Sequence, residues 1–192
     1  MTKKIIFSSG GTGGHILPAI NLMKYLSKKG YKILLVTDAR GNNFLKKYPE
    51  LEVKIIKTDT PIKKNFVKKI TSLLSVAFAI LQSIFLFKRE KPQLIFGFGG
   101  YVSFPISFVS KLFNIPLVIY ENNLVLGRAN KILLPIAKKI LLGTEMPINF
   151  PEKYKKKTHF VGNILKEEII NYSVSKKQNE DKVFSILVLG GS

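Results

Sequence analysis

The residues best suited to chemistry sit in three polar stretches, each directly after an apolar run. The first is Ser8-Ser9-Gly10-Gly11-Thr12-Gly13-Gly14-His15. Glycine permits positive φ and close backbone approach, so the N–H groups of such a turn can cradle an anion where a helix begins. His15, at that helix start, is placed to act as a base or a hydrogen-bond donor. The second stretch is Gly97-Phe98-Gly99-Gly100-Tyr101-Val102-Ser103. The third runs from Tyr120-Glu121-Asn122-Asn123 to Gly127-Arg128-Ala129-Asn130-Lys131. An acid, amides and cations crowded beyond an apolar strand suit a sugar or phosphate, because amides and carboxylates pair with hydroxyls. Capping and turn chemistry would also account for Asn122 or Asn123, but not for Glu121.

The first loop fails both common nucleotide fingerprints. A P-loop needs Gly-Lys-Ser/Thr, and no lysine follows here; the dinucleotide turn needs a glycine where Ile16 stands. Asp38, near the end of a second apolar run, is where a ribose-binding acid would fall, which keeps a nucleotide reading in play. A plain tight turn is the simpler alternative, although glycines at 10, 11, 13 and 14 followed by histidine exceed what a turn requires.

The elements that must position these loops alternate. Apolar runs at Lys3–Ser8, Tyr31–Thr37, Leu51–Lys57, Gln93–Gly97, Leu117–Tyr120, Lys139–Leu142 and Thr158–Val161 read as strands. Helices are expected after the first loop as far as Lys28, at Phe44–Tyr48, over Ile62–Glu90, at Ser103–Phe113 and at Leu126–Ala137. Continuous apolar strands alternating with helices predict an α/β fold: a Rossmann-like parallel sheet with helices on both faces. Ligands of such sheets bind at the carboxyl ends of the strands, where all three loops fall. Ser173–Lys182 is polar and reads as a linker, and Val183–Leu189 reads as a strand opening a second domain.

Composition narrows the partners. The chain has 192 residues, enough for a real core, and no cysteine, which excludes disulfides and cysteine zinc sites. With only His15 and His159, a histidine-rich metal site is not expected. The formal charge of +19 calls for an anionic partner. Lysine dominates and is scattered, without the clustered arginines and aromatics of a nucleic-acid surface, so no nucleic acid is expected. No signal peptide precedes the first strand, which predicts a cytoplasmic location.

The long helix stands out. Ile70 to Phe87 carries no charge and as a helix would reach about 27 Å, just short of a bilayer core. A membrane crossing would put two strands of one alternating pattern on opposite sides of a bilayer, so it is rejected. Ser72, Ser75, Ala79, Gln82 and Ser83 form one small-polar stripe, and the rest of the surface is apolar. Beside it, Ile62, Lys63, Lys64, Phe66, Lys68 and Lys69 mix apolar and cationic residues, as docking on an anionic bilayer requires. A crossover helix buried under a neighbour is the alternative.

Taken in order, Gly-Gly-Thr-Gly-Gly-His (10–15), Gly-Phe-Gly-Gly-Tyr-Val-Ser (97–103), Glu-Asn-Asn (121–123) with Gly127 and Asn130, Val-Gly-Asn (161–163) and Val-Leu-Gly-Gly-Ser (188–192) resemble the MurG-type peptidoglycan glycosyltransferases of glycosyltransferase family 28, two-domain GT-B enzymes. The resemblance covers the chain as the N-terminal half. It implies transfer of N-acetylglucosamine from UDP-GlcNAc to the lipid-linked acceptor lipid I, giving lipid II, by a peripheral enzyme on the cytoplasmic face of the inner membrane. It implies no cofactor and no metal. By resemblance His15 or Glu121 is the base. Thr12, Gly13, Gly14, Asn123, Lys166 and Ser192 lie against the donor. Gly11, Gly99, Gly100, Tyr101, Ser103 and Asn130 hold the acceptor sugar and diphosphate. Residues 1–172 would form the acceptor and membrane-binding domain, 173–182 the linker, and 183–192 the first strand of a missing donor domain, which a separate polypeptide could supply. Alone, the chain should then turn over little or no UDP-GlcNAc.

Four positions depart from that pattern. The usual His-Glu-Gln-Asn is Tyr120-Glu121-Asn122-Asn123, an expected arginine is Lys166, and Ile164 replaces proline. Two other readings compete: a non-catalytic membrane-recruiting subunit acting with a second chain on another lipid-linked sugar, and half of a nicotinamide-dependent oxidoreductase, against which the absent third glycine counts.

Overall fold

The computed structural model describes residues 4–11, 13–58 and 66–175. Seven strands form one sheet: β1 (Lys4–Ser8), β2 (Lys32–Thr37), β3 (Val53–Ile55), β4 (Leu94–Gly97), β5 (Leu117–Glu121), β6 (Lys139–Leu142) and β7 (Thr158–Phe160). Every pairing is parallel, and the spatial order is β3-β2-β1-β4-β5-β6-β7. The α/β Rossmann-like class expected from the sequence is therefore the fold. The winding direction reverses between β1 and β4, so the loops leaving these two strands part to open a crevice.

Side chains alternate across the sheet. Ile6, Leu34, Val36, Ile95 and Ile119 face one layer, and Ile5, Phe7, Ile33, Leu35 and Phe96 face the other. Helix α1 (Gly13–Lys28) and helix α2 (Ala39–Leu45) cover the second face through Ile16, Ile20, Met23 and Leu45. Helices α3 (Phe66–Glu90), α4 (Ser103–Leu112) and α5 (Arg128–Leu133) cover the first through Leu86, Phe87, Ile106, Val109 and Leu133. Gly30 ends the α1 segment at φ +85°, a conformation glycine adopts without strain.

The structure moves several boundaries. The helix expected at Phe44–Tyr48 lies at Ala39–Leu45, because the Asp38 carboxylate caps it, accepting from Gly41 N at 2.8 Å. Asp38 also pairs with Arg40. Its oxygens are thus held within the chain, as a cap rather than as a ribose-binding acid. The helix after β5 is limited to Arg128–Leu133. A final helix, α6 (Glu167–Ser175), extends into the start of the expected linker at Ser173, and a 3-10 turn spans Glu152–Lys157. The expected strand at 183–189, together with Thr12, Ile62, Lys63, Lys64 and Ser192, lies outside the described residues. Phe66, Lys68 and Lys69 fall in the opening turn of α3.

Helix α3 is turned inside out relative to an ordinary amphipathic helix. Ser72, Ala79 and Ser83 are buried, and α3 packs against α4. Ser83 covers its own hydroxyl by donating to the Ala79 carbonyl at 2.7 Å. Small buried residues on α3 let a neighbouring element approach its backbone closely. The cost is that Leu73, Leu74, Phe78, Leu81 and Phe85 point outward, the last of them 71% exposed. Over Ile70–Glu90, only 28% of the most apolar window is buried.

Candidate active site

The site forms where the first two glycine loops touch. Gly10 N donates to Gly99 O at 2.9 Å, and Phe98 N donates to Ser8 O at 2.8 Å. This contact requires glycine on both sides. A Cβ on Gly10 would lie 2.8 Å from Gly100 Cα, and one on Gly100 would lie 2.5 Å from Gly10 Cα at φ +81°. Ser103 is fully buried, and its hydroxyl donates to both Ser8 O (3.0 Å) and Gly99 O (2.8 Å). It ties the loops together and is spent on them. Gly11 is pinned differently: a Cβ there would lie 2.4 Å from Gly41 N, at the start of α2.

His15 lies in the first turn of α1, with its ring over Gly99. A Cβ on Gly99 would come within 3.0 Å of Cε1. Burial pushes the imidazole pKa below its ordinary 6.5, opposed by the Glu121 carboxylate and the Phe98 carbonyl. The ring is therefore neutral near pH 7, and its Nδ1 is buried without a hydrogen-bond partner among the described residues. A neutral imidazole held against a cavity is competent to take a proton.

Glu121 is the last residue of β5 and is 1% exposed. Its Oε1 accepts from Asn123 N (3.1 Å) and Asn123 Nδ2 (2.8 Å). Its Oε2 accepts from Gly127 N (2.8 Å) and Asn130 Nδ2 (3.1 Å). Both oxygens are occupied from within the loop. Asn130 is itself buried and also donates to Tyr120 O at 3.1 Å.

A feature that the sequence reading missed joins this loop to α1. Pro18 lies inside the helix and has no N–H, so the carbonyl four residues earlier, that of Gly14, lacks its helical partner. Asn122 Nδ2 donates to that carbonyl at 3.2 Å. A proline four residues after a loop glycine was the available signal. Tyr120 was likewise unassigned: its hydroxyl donates to Gly162 O and accepts from Ile164 N, both at 3.3 Å, while Asn21 Nδ2 donates to Ile164 O at 3.2 Å. The Ile164 N–H, which a proline would lack, is thus used.

Two cavities flank the start of α1. One, of about 170 Å³, is lined by His15, Gly99, Gly100, Tyr101 and the segment from Gly127 to Asn130. The other, of about 380 Å³, is lined by Gly13, Gly14, Asn21, Asn122, Asn163 and Lys166 among others. No atom lies within 4 Å of where a Cβ on Gly13 or Gly14 would stand, so that helix turn faces open space. The expected acceptor residues Gly99, Gly100, Tyr101 and Asn130 therefore share one cavity with His15, and Gly13, Gly14 and Lys166 share the other. Asn123 is exposed and bound to Glu121. No group of three metal-ligating side chains occurs among the described residues.

A parallel sheet with a ligand crevice at its reversal point, flanked by two glycine loops, defines the N-terminal half of a GT-B-like protein. Residues 5–142 match the glycosyltransferase family 28 N-terminal domain, and the chain belongs to that family. It is 35% identical over 190 residues to a Rickettsia canadensis protein named UDP-N-acetylglucosamine–N-acetylmuramyl-(pentapeptide) pyrophosphoryl-undecaprenol N-acetylglucosamine transferase, covering 99% of this chain and 52% of that one. A Pelagibacter ubique protein of the same name is 33% identical, over 100% of this chain and 52% of that one. The crystal structure of Acinetobacter baumannii MurG superposes with a TM-score of 0.76 at 26% identity, covering 98% of this chain and 52% of the other. A UDP co-structure of S. aureus MnaA shares the fold, with a TM-score of 0.63 at 19% identity over 85% of this chain and 44% of that one. The chain spans about half the length of these relatives.

Proposed function

We propose that the chain is the acceptor-binding half of an inverting hexosyltransferase, moving N-acetylglucosamine from UDP-GlcNAc to undecaprenyl-diphosphate-linked N-acetylmuramyl-pentapeptide. One observation carries this: a neutral His15 lines the smaller cavity, directly after Gly13 and Gly14, which line the other, in a family whose relatives bear that activity in their names. The acceptor's diphosphate sits with Gly99, Gly100, Tyr101 and Arg128. The donor sugar approaches Gly13, Gly14 and Lys166 from a second folded unit, in the same or another polypeptide. His15 takes the proton of the acceptor hydroxyl, that oxygen attacks the anomeric carbon, and UDP leaves. The backbone N–H groups of the first loop stabilise the phosphate charge, and no cofactor or metal is assigned a part. Glu121 positions rather than deprotonates, since its four accepted hydrogen bonds leave no oxygen free for a substrate hydroxyl.

The reaction takes place on the cytoplasmic face of the inner membrane, to which the outward apolar face of α3 and the charge of +19 attach the protein peripherally. The test joins the chain to the C-terminal half of the Rickettsia canadensis relative and follows transfer from labelled UDP-GlcNAc. His15→Ala should lower kcat by about 10²–10⁴. Near-normal turnover would remove His15 as the base. No transfer by the unmodified hybrid, with lipid-linked acceptor still bound, would favour a non-catalytic recruiting subunit. Sedimentation with anionic but not neutral vesicles, reversed by salt, tests the attachment.

A further inference from the structure

Two loops beyond the carboxyl end of the sheet carry large apolar side chains that none of the described residues covers. Leu124 and Val125 follow β5, and Met146 and Ile148 follow β6, all four exposed, with Val125 at 69% and Ile148 at 62%. They form one surface. Ile148 N donates to Leu124 O at 2.7 Å, and Val125 pairs with Ile148 in a short parallel bridge. Residues below the surface pin it: Phe150 is buried in the core, and Glu121 accepts from Asn123 N on one side of Leu124–Val125 and from Gly127 N on the other. The exposure is therefore a fixed property of a strapped ledge.

The same loop leads from the ledge to the smaller cavity, whose lining includes Gly127, two residues after Val125. At about 170 Å³ that cavity is of a size to take a diphosphate. Arg128, exposed and without an ion-pair partner among the described residues, lines that cavity. We infer that the ledge formed by Leu124, Val125, Met146 and Ile148 seats the first isoprenoid units of a polyprenyl diphosphate whose diphosphate lies beside His15. The inference rests on the proposed acceptor site and adds where its hydrocarbon chain runs. An isoprenoid diphosphate carries its chain on one ester oxygen, so the first branched units must lie next to the diphosphate. A preordered apolar surface binds them without paying to order the loop.

The test uses the whole chain without vesicles, and two soluble probes: inorganic diphosphate and farnesyl diphosphate. Binding is followed through the His15 ring resonances by NMR, which report this site and none of the scattered lysines. Farnesyl diphosphate should bind roughly tenfold more tightly than inorganic diphosphate, from apolar area removed from water. The double variant Val125→Ser, Ile148→Ser should abolish that difference while holding inorganic diphosphate within about twofold, which also reports an intact fold. Equal affinity of the two probes for the unmodified chain overturns the ledge while leaving the diphosphate site standing. So does a difference that survives the double variant, or one lost in Phe108→Ser on α4 instead. Failure of both probes to move His15 overturns the acceptor site and the ledge together.

Discussion

Replacing Glu121 with glutamine distinguishes an organising residue from a proton acceptor. The carboxylate accepts four hydrogen bonds, two on each oxygen, from Asn123 N and Nδ2 and from Gly127 N and Asn130 Nδ2. Glutamine keeps one acceptor oxygen and presents an NH₂ group to the other pair of donors. Whichever way the amide turns, two hydrogen bonds become donor–donor clashes at a 1% exposed position. A charge-assisted bond is worth about 1.5–3 kcal/mol net, so Glu121→Gln should cost about 3–5 kcal/mol. That is a large share of a typical stability of roughly 5–15 kcal/mol. With a urea m-value near 2 kcal/mol/M, the unfolding midpoint should fall by about 2 M. Amide exchange should rise at Asn123 or at Gly127, whichever N–H faces the new NH₂ group, since the two are held by different oxygens. A variant with unchanged midpoint and unchanged exchange at both Asn123 and Gly127 would refute the organising role and return Glu121 to the list of candidate bases.

Other outcomes follow from the same geometry. The His15 ring should titrate below 6.5 by NMR, and removing the Glu121 charge should lower its midpoint further, because that charge supports the protonated form. Folding favours neutral His15, so its contribution to stability is full above pH 6.5 and declines as pH falls through the folded midpoint; a stability curve flat across that acid range in wild type but sloping in His15→Ala would contradict it. Gly100→Ala should cost at least about 3 kcal/mol in urea unfolding, because it combines φ +81° with a Cβ driven into Gly10. Pro18→Ala restores an N–H to the Gly14 carbonyl, and should stabilise the helix by about 1 kcal/mol while releasing Asn122; unchanged amide exchange around Asn122 would show that the cross-link carries no weight.

The alternation of strands and helices was legible because buried parallel strands are continuously apolar, as Ile33–Val36 and Ile95–Phe96 are. The three loops were legible because their glycines and polar residues fall at strand ends. Helix α2 was misplaced because its signal is the cap Asp38 and not apolar spacing, and Ala39–Leu45 carries few apolar residues. Helix α6 was missed for the same reason, since Glu167–Ser175 merges into a polar run. The small-polar stripe of α3 was visible, but only the burial of Ser72, Ala79 and Ser83 shows that it faces inward. The site's internal wiring was hidden for a different cause. Gly10 and Gly100 require each other across ninety positions of sequence, and the four partners of Glu121 are a matter of direction, which residue types do not encode.

Helix α3 also decides how this protein behaves when no apolar partner is near. Copies carrying Leu74, Phe78, Leu81 and Phe85 on the outside attract one another, and the charge of +19 on each keeps them apart. Added salt shortens the reach of that repulsion to about 10 Å at 0.1 M and about 3 Å at 1 M. Ionic strength then drives the molecule two ways at once, off anionic surfaces and onto its own kind. Self-association should therefore set in at lower protein concentration as salt is added, which light scattering across an ionic-strength series checks.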